Sequence, residues 1–310
     1  NGEAKPKISF PFLFPLRGGG VGEEAREKCK EIFWFLHTRV RERVRGALVR
    51  FTTQSERTRQ FQATTRSARA ISQQSDCFGK KFGFCSRDTA EKKFMKTVLI
   101  TGISRGIGKS LAEKFLAEGY FVIGTSTKGV TDITHENLII LQLDLADPKS
   151  IEQCAEKILH LKKPIDILIN NAGIVIMERE GIKIDNLRNT LETNVIGPID
   201  LTLRVLSAIQ LGGHIVNISS RQGSMSYVHQ DRNPSYKISK AATNMFTRTL
   251  SLRLQDRITV SSVHPGAVLS GMAAADADMS PEEAARYIYE LAISKPKTGQ
   301  FWFKGEPFPW

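Results

Sequence analysis

From residue 95 onward, short apolar runs alternate along the chain with longer segments whose apolar residues have helical spacing. The short runs are nearly continuous in Val, Ile and Leu, which is typical of strands buried on both faces of a parallel sheet. These strand-like runs are TVLI (97–100), YFVIGT (120–125), NLIILQLDL (137–145), IDILINNAG (165–173), HIVNISS (214–220), ITVSSVHPG (258–266) and GQFWFKG (299–305). The pattern predicts an α/β fold, a doubly wound, Rossmann-like parallel sheet in a single domain.

The segments between these runs carry helix start signals. Asp147 precedes Pro148 and Ser280 precedes Pro281, so each pair places an N-cap residue before a proline at the first helical position. A long helix is predicted across residues 187–209. Because parallel strands end at one edge of a sheet, we expect the ligand-binding residues to lie at the carboxyl ends of the strands.

The first 94 residues lack this alternation and differ in charge. Residues 1–94 contain 20 Lys and Arg against 10 Asp and Glu (20 − 10 = +10), whereas residues 95–310 contain 24 against 22 (24 − 22 = +2). We expect residues 1–94 to be a basic extension with little independent fold and residues 95–310 to form the α/β domain. An amphipathic stretch with nine Arg and two Glu in residues 38–75 leaves three origins open: an organelle-targeting segment, a tail, or translated upstream sequence.

Charge and cysteine usage narrow the functional classes. Residues 95–310 are almost neutral, so they carry no electrostatic footprint for nucleic acid. Cys154 is the only cysteine in that part of the sequence, which fits a reducing compartment. We therefore expect a cytoplasmic protein, or an imported one if residues 1–94 are a transit segment. No apolar run is long enough for a transmembrane segment, and the histidines lack metal-ligand spacing, so no metal is expected.

The stretch TGISRGIG at 101–108 lies between the first predicted strand and the first predicted helix. Its glycines allow the backbone to turn sharply and to approach a phosphate closely. The amides at the start of the following helix then face the negative charge. In this position after a first strand, the pattern predicts a dinucleotide site rather than a simple tight turn.

The end of the second predicted strand indicates which dinucleotide is bound. An NAD site usually has an acidic residue there, which holds the ribose hydroxyls. The sequence GTSTKG at 124–129 has no carboxylate and instead offers Ser126, Thr127 and Lys128, with Arg105 nearby in the glycine loop. These donors and positive charges favour the 2′-phosphate of NADPH or NADP over NAD.

Tyr236 and Lys240 in the stretch PSYKISKAA are four positions apart and share a helical face. A nearby ammonium favours phenolate and lowers the pKa of a tyrosine from its usual value of about 10. The pair therefore fits a general acid with its electrostatic partner, although by itself it also fits an ordinary solvated pair.

Four motifs occur in a fixed order: TGISRGIG, NNAG (170–173), NISS (217–220) and YKISK (236–240). Together they resemble the short-chain dehydrogenase/reductase family, and the resemblance covers residues 95–310. The long loop between the last two motifs is similar to that of the small C-factor- and sniffer-like carbonyl reductases. The resemblance implies an NAD(P)-dependent oxidoreductase that reduces a small ketone or aldehyde by reversible hydride transfer.

The resemblance also implies residue roles. Tyr236 would be the general acid, Lys240 its partner, and Ser220 a hydrogen-bond donor to the substrate oxygen. Asn194 would hold a relay water near Lys240, and Asp144 would contact the adenine ring. Besides Tyr236 and Lys240, the implied cofactor-binding residues are Thr101, Gly102, Ser104, Arg105, Gly106, Ile107, Gly108, Ser126, Thr127, Lys128, Asp144, Leu145, Asn171, Ala172, Gly173, Pro265, Gly266, Val268 and Ser270.

Two rival interpretations remain open at this point. One is a regulatory or scaffold protein of the same fold that binds the cofactor with little turnover. The other is a basic arm, residues 1–94, that binds nucleic acid or membrane and to which the reductase fold is auxiliary. The expected partner of residues 95–310 is a small carbonyl or alcohol substrate, and a homo-oligomer is left open.

Overall fold

The computed structural model of the chain describes residues 95–268 and 279–310. The strands are β1 (Thr97–Ile100), β2 (Phe121–Ser126), β3 (Leu138–Gln142), β4 (Ile165–Asn170), β5 (Ile209–Ile218), β6 (Thr259–Val263), β7 (Gln300–Phe303) and β8 (Glu306–Pro307). The α-helices are α1 (Gly106–Ala117), α2 (Pro148–His160), α3 (Ile184–Leu191), α4 (Gly197–Val205), α5 (Pro234–Arg253) and α6 (Pro281–Ile293). The expected extension, residues 1–94, lies outside the described residues, so its boundary at residue 95 stays a prediction.

The strands form one sheet in the order β3-β2-β1-β4-β5-β6-β7-β8. All neighbouring pairs are parallel except β7 and β8. The chain runs outward from β1 to β3 and then returns to the other side of β1 with β4, so the topology switches between β1 and β4. The predicted doubly wound, Rossmann-like fold is confirmed, and this switch point is where such folds bind ligands.

The sheet is buried on both faces, as the continuous apolar runs predicted. In β1, Val98 and Ile100 belong to a buried cluster that includes Phe115 of α1 and Ile288 of α6. Leu99, which points to the opposite face, belongs to a second cluster that includes residues of α2, α4 and α5. The side-chain period of two in the strand therefore divides the core into two layers, one on each side of the sheet.

The two predicted helix starts are confirmed. The Asp147 side chain accepts a hydrogen bond of 2.9 Å from the Lys149 amide at the start of α2. The Ser280 hydroxyl accepts one of 3.1 Å from the Glu283 amide at the start of α6. Each cap satisfies an amide that has no partner within its own helix.

The long helix predicted over residues 187–209 is helical from 184 to 208, but it is not a single α-helix. The structure has α3, a π-helical turn at Glu192–Ile196, then α4 and a short 3-10 turn at Leu206–Ala208. Pro198, which lacks an amide hydrogen, occupies the first turn of α4, where that hydrogen needs no helical partner. The fifth strand also begins earlier than predicted, at Ile209 rather than at 214.

The end of the domain is a hairpin rather than a single terminal strand. Lys304 and Gly305 connect β7 to β8 and have φ angles of 48° and 84°. A two-residue hairpin turn with both φ angles positive matches the twist of its strands, which explains the glycine. β8 is only two residues long and contains Pro307.

Within the two described ranges, no helix combines the length and the apolar character that a bilayer crossing needs.

A buried histidine makes the stability of the fold depend on pH. His214 of β5 is 4% exposed, and its ring contacts the Ala292 carbonyl oxygen at 3.1 Å and the Ser261 hydroxyl at 2.9 Å. Burial lowers the pKa of His214 from 6.5 to about 4, against the opposing effect of the Ala292 carbonyl. The unfolded chain therefore binds a proton more readily than the folded chain, and stability falls as the pH drops from about 6.5 towards 4.

We expect this single group to remove about 2 kcal/mol of the free energy of unfolding between pH 7 and pH 5. Urea unfolding at both pH values measures it. His214→Gln should reduce the pH-dependent loss by that amount, whereas His160→Gln, at an exposed position on α2, should leave it unchanged. An identical pH-dependent loss in wild type and His214→Gln would show that His214 does not carry the effect.

Candidate active site

The carboxyl ends of β1 and β4 are joined by hydrogen bonds at the topological switch point. The Thr101 hydroxyl accepts from the amides of Asn171 and Ala172, both at 3.0 Å. The Asn171 side-chain amide donates to the carbonyl oxygens of Thr101 and Gly102 at 2.8 and 3.1 Å. Thr101 and Asn171, both predicted to bind cofactor, therefore hold the glycine loop to the NNAG segment, and their contact with a cofactor stays a prediction.

Two positions of the glycine loop require glycine. Gly102 has a φ angle of 73°, and a Cβ built on it would lie 2.9 Å from the Ala172 Cβ. A Cβ built on Gly108 would lie 2.1 Å from the Gly102 carbonyl oxygen and 2.4 Å from Asn171 Nδ2. Any side chain at Gly108 would push apart the loop and the start of α1.

The loop and α1 fit a phosphate group. Arg105 is the N-cap residue of α1 and makes no side-chain capping bond, and the first turn of α1 has no acidic residue. Ser104 and Arg105 are exposed, and Gly106 and Ile107 form the start of the helix. An uncapped helix N-terminus behind a glycine turn presents amides and partial positive charge to an anion.

The end of β2 carries the residues expected to select the cofactor. Thr127 and Lys128 are exposed. Ser126 is 5% exposed, and its hydroxyl donates to the Val130 carbonyl oxygen at 2.8 Å while accepting from the Val130 amide at 3.0 Å. Because Ser126 is engaged in its own turn, the groups that this segment offers to solvent are the side chains of Thr127 and Lys128.

The remaining predicted cofactor residues lie at neighbouring strand ends. One carboxylate oxygen of Asp144 accepts from the Ala146 amide at 2.9 Å. Leu145 is buried behind it. A Cβ built on Gly173 would lie 3.1 Å from Asn194 Oδ1 and 3.8 Å from Lys240 Nζ, so this glycine adjoins both side chains. Four predicted cofactor residues come after β6. Pro265, Gly266 and Val268 are described by the structure, and Ser270 lies outside the described residues.

Tyr236 lies in the first turn of α5. Burial raises the pKa of Tyr236 to about 12, and Ser220 acts in the opposite direction. Of the two serines in the NISS motif, Ser219 points away and donates to the Lys240 carbonyl oxygen at 3.3 Å. Ser220 is the serine of this motif that acts on the pKa of Tyr236, and its role towards a substrate stays a prediction.

Lys240 lies one turn further along α5 and is 6% exposed. Its Nζ donates to the Ile218 carbonyl oxygen at 2.8 Å and lies 5.5 Å from the centroid of the Tyr236 ring. Burial lowers the pKa of Lys240 to about 8. The expected lowering of the Tyr236 pKa by this ammonium is not seen, since burial raises that pKa and Lys240 Nζ donates to a backbone carbonyl.

Asn194 lies in the π-helical turn and is fully hydrogen-bonded. Its Oδ1 accepts from the Ile174 amide at 2.8 Å, and its Nδ2 donates to the Ile174 carbonyl oxygen at 2.9 Å and to Ser239 Oγ at 3.1 Å. A cavity of about 10 Å³, lined by Asn194, Lys240 and Asn170 among others, lies beside it. That volume is at the lower limit for one water molecule, and the relay role of Asn194 stays a prediction.

Sequence reasoning missed the groups that hold the site together. Asn170 Nδ2 donates to Asn217 Oδ1 at 2.8 Å and so joins β4 to β5. Glu178, in the loop after β4, is buried against the start of α5. The end of the chain packs on the loop between Ser220 and Tyr236, where the rings of Tyr227 and Phe308 are 5.2 Å apart. Asn170 and Asn217 are the first residues of the NNAG and NISS motifs, but the motifs do not show that the two side chains meet. No short motif marks Glu178 or Phe308.

A family model described as short chain dehydrogenase matches residues 96–281. The chain belongs to this family. The matched range begins at the residue before β1 and ends in the first residue of α6, so it includes all the catalytic positions predicted above. Membership confirms the predicted family and an NAD(P)-dependent oxidoreductase, while the roles of individual residues stay predictions.

Known proteins of the family are similar over most of their own length. The 3-oxoacyl-acyl-carrier-protein reductase FabG of Salmonella typhimurium is 36% identical over 195 residues, which cover 59% of this chain and 78% of the relative. A short-chain dehydrogenase/reductase from Burkholderia multivorans with bound NADP has a TM-score of 0.64 and 26% identity. The carbonyl reductase Sniffer of D. melanogaster has a TM-score of 0.62 and 26% identity. Both alignments cover 70% of this chain and 100% of the similar structure.

Proposed function

We propose that residues 95–310 form an NADPH-dependent carbonyl reductase that reduces a small ketone or aldehyde to an alcohol. The observation that carries this proposal is the buried Lys240 ammonium 5.5 Å from the centroid of the Tyr236 ring, with Ser220 acting to lower the pKa of the same phenol. A phenol, a hydroxyl and an ammonium at the carboxyl edge of the sheet provide a proton donor and two groups that stabilise negative charge.

The residues of the site supply the proton and the charge stabilisation of the reduction. Bound NADPH supplies the hydride for the carbonyl carbon. Tyr236, whose raised pKa keeps it protonated at neutral pH, donates its phenolic proton to the carbonyl oxygen. Ser220 donates a hydrogen bond as negative charge develops. Lys240, with a pKa of about 8, is mainly protonated at pH 7 and offsets the charge left on Tyr236.

The residues of the fold fit the proposed cofactor. The loop before α1 offers its uncapped amides to the pyrophosphate, and Lys128 and Arg105 are exposed beside it for a 2′-phosphate. Asp132, a carboxylate that follows β2, forms an ion pair of 2.5 Å with Lys109, so its charge is already balanced. The structure of the Burkholderia multivorans relative with bound NADP also supports this choice.

We expect Lys128→Glu to weaken NADPH binding at least about tenfold and to change NADH binding less than twofold, since only NADPH carries the 2′-phosphate. Titrations of both cofactors against wild type and variant measure this. Lys157→Glu, which makes the same charge change at an exposed position of α2, is the control. Equal weakening of both cofactors by Lys128→Glu would contradict the assigned role, and tighter binding of NADH by wild type would contradict the choice of NADPH.

The substrate side of the site favours an apolar carbonyl compound. The loop between Ser220 and Tyr236 exposes Met225, Tyr227 and Val228, which are 79%, 47% and 42% exposed. A screen of ketones and aldehydes of increasing apolar size, followed by cofactor absorbance, tests the function. Turnover that depends on Tyr236 supports the reductase, whereas tight NADPH binding without turnover of any carbonyl favours the regulatory or scaffold interpretation.

The location of the protein and its oligomeric state stay predictions. We propose a cytoplasmic protein, with organelle import as the outcome if residues 1–94 act as a transit segment. Deleting residues 1–94 tests the rival interpretation, in which the basic arm binds nucleic acid or membrane. Unchanged reduction with no loss of salt-dependent binding to nucleic acid or membrane would exclude that role.

A further inference from the structure

A buried carboxylate outside the predicted site caps the helix that carries Tyr236. Glu178, in the loop between β4 and α3, is 3% exposed. Its Oε2 accepts from the Ser235 amide at 2.9 Å, and its Oε1 accepts from the Ser235 hydroxyl at 3.0 Å and the Lys183 amide at 3.2 Å. Ser235 immediately precedes Tyr236, so the carboxylate is bonded to the residue next to the proposed acid.

The backbone reinforces this contact. The Glu178 amide donates to Asn233 Oδ1, and the Asn233 amide donates to the Glu178 carbonyl oxygen, both at 2.9 Å. Burial alone would raise the pKa of Glu178, but hydrogen bonds from Ser235, Lys183 and Asn186 outweigh it and lower that pKa. Glu178 is therefore ionised near neutral pH, with its charge held by hydrogen-bond donors at the start of α5.

The helix needs this external group because its own N-cap does not supply one. Asn233 occupies the N-cap position with a φ angle of 52°, and its side chain makes no capping bond. Pro234 follows as the first helical residue and has no amide hydrogen to donate. The Ser235 amide therefore has no acceptor within its own helix, and it lies at the positive end of the helix dipole, where a carboxylate is favoured.

One turn further along the same face of α5, Ser239 is bonded to Asn194. Ser239 Oγ accepts from Asn194 Nδ2 at 3.1 Å and donates to the Tyr236 carbonyl oxygen at 2.7 Å. Asn194 is in turn bonded to Ile174, which begins the loop that contains Glu178. The first turn of α5 is thus fastened at Ser235 and at Ser239, with Tyr236 between the two attachments.

We propose that Glu178 is a positioning residue for Tyr236: it fixes the first turn of α5 so that the phenol stays in line with Ser220. The proposal rests on the proposed reductase function. Sub-ångström displacement of a proton donor changes the rate of the chemical step more than it changes the binding of substrate or cofactor. Loss of Glu178 should therefore lower kcat while KM and the Kd for NADPH remain nearly constant.

The test is a double-variant cycle. Glu178→Gln replaces one accepting oxygen with an amide that opposes the donors of Ser235. We expect kcat to fall about 10- to 100-fold at a temperature where the variant is folded, with KM and the NADPH Kd within about threefold of wild type. Ser235→Ala should lower kcat less, because it keeps the amide bond to Glu178, and the double variant should be little worse than Glu178→Gln, because the hydroxyl bond is one of the contacts that Glu178→Gln already disturbs. Glu180→Gln, an exposed carboxylate in the same loop, is the matched control.

Three outcomes would overturn the proposal. One is an unchanged kcat in folded Glu178→Gln. Another is a double variant whose fold-decrease in kcat equals the product of the fold-decreases of the two single variants. If Glu178→Gln does not fold, Glu178→Asp, which keeps the charge but shortens the reach to the Ser235 amide, replaces it, and an unchanged kcat in that variant overturns the proposal. Amide hydrogen exchange separates this proposal from the proposed function. If wild type turns over no carbonyl, faster exchange at residues 235–239 in either variant still supports the fastening of α5, and equal exchange refutes it.

Discussion

Tyr236→Phe is expected to lower kcat for carbonyl reduction about 10³-fold and to leave the Kd for NADPH within twofold of wild type. The change removes the proton donor and keeps the ring. The hydroxyl lies on α5, whereas the glycine loop proposed to bind the phosphates lies before α1. Most of the proposed cofactor contacts are thus independent of the phenolic hydroxyl, and the variant should separate chemistry from cofactor binding in measurement.

Single-turnover reduction at saturating NADPH, combined with a cofactor titration, measures both quantities. Tyr289→Phe is the control, because Tyr289 packs against Phe115 at a ring distance of 4.9 Å in the core beside α1 and α6. Turnover by Tyr236→Phe at more than a tenth of the wild-type rate would remove Tyr236 from the role of general acid. Loss of NADPH binding in the same variant would instead show a structural defect.

Gly108→Ala should destabilise the domain by about 3 kcal/mol, in the upper range for overpacking a close-packed site. The added Cβ would lie 2.1 Å from the Gly102 carbonyl oxygen, and that oxygen is held by Asn171. Relief requires the loop to move away from the end of β4. The amides that face the pyrophosphate then lose their alignment, so the affinity for NADPH should fall about 100-fold, equivalent to about 2.7 kcal/mol.

Urea unfolding and NADPH titration at a temperature where the variant is folded measure the two effects. Gly119→Ala is the matched control, since no atom lies within 4 Å of a Cβ built there. Its φ angle of 77° makes an alanine strained, so we expect a loss of about 1 kcal/mol with normal cofactor affinity. An NADPH affinity within threefold of wild type in Gly108→Ala would show that the loop does not bind the pyrophosphate.

The parts of the fold that depend on local pattern were predictable from the sequence. Continuous apolar runs gave the parallel strands, and Asp147 and Ser280 marked the starts of α2 and α6. The π-helical turn at Glu192–Ile196 was not predictable, because it arises from packing around Asn194 and not from residue preference. Glu178 was missed for a similar reason: its partner Ser235 lies 57 positions away, and a single Glu in a loop has no distinguishing pattern.

The electrostatics of the catalytic pair show a second limit. Spacing alone correctly placed Tyr236 and Lys240 on one side of a helix and predicted that the ammonium would make the phenol more acidic. Spacing carries no information on depth. In the folded chain, burial raises the pKa of Tyr236 to about 12 and lowers the pKa of Lys240 to about 8, so each group is shifted towards its neutral form.

The hairpin at the end of the sheet has a consequence for behaviour at high concentration. An unpaired outer strand is a template on which another chain can add by backbone pairing, and natural proteins block such templates with very short strands and with proline. β8 has both features, being two residues long with Pro307 as its second residue. Fibril-like growth from this border of the molecule is therefore disfavoured.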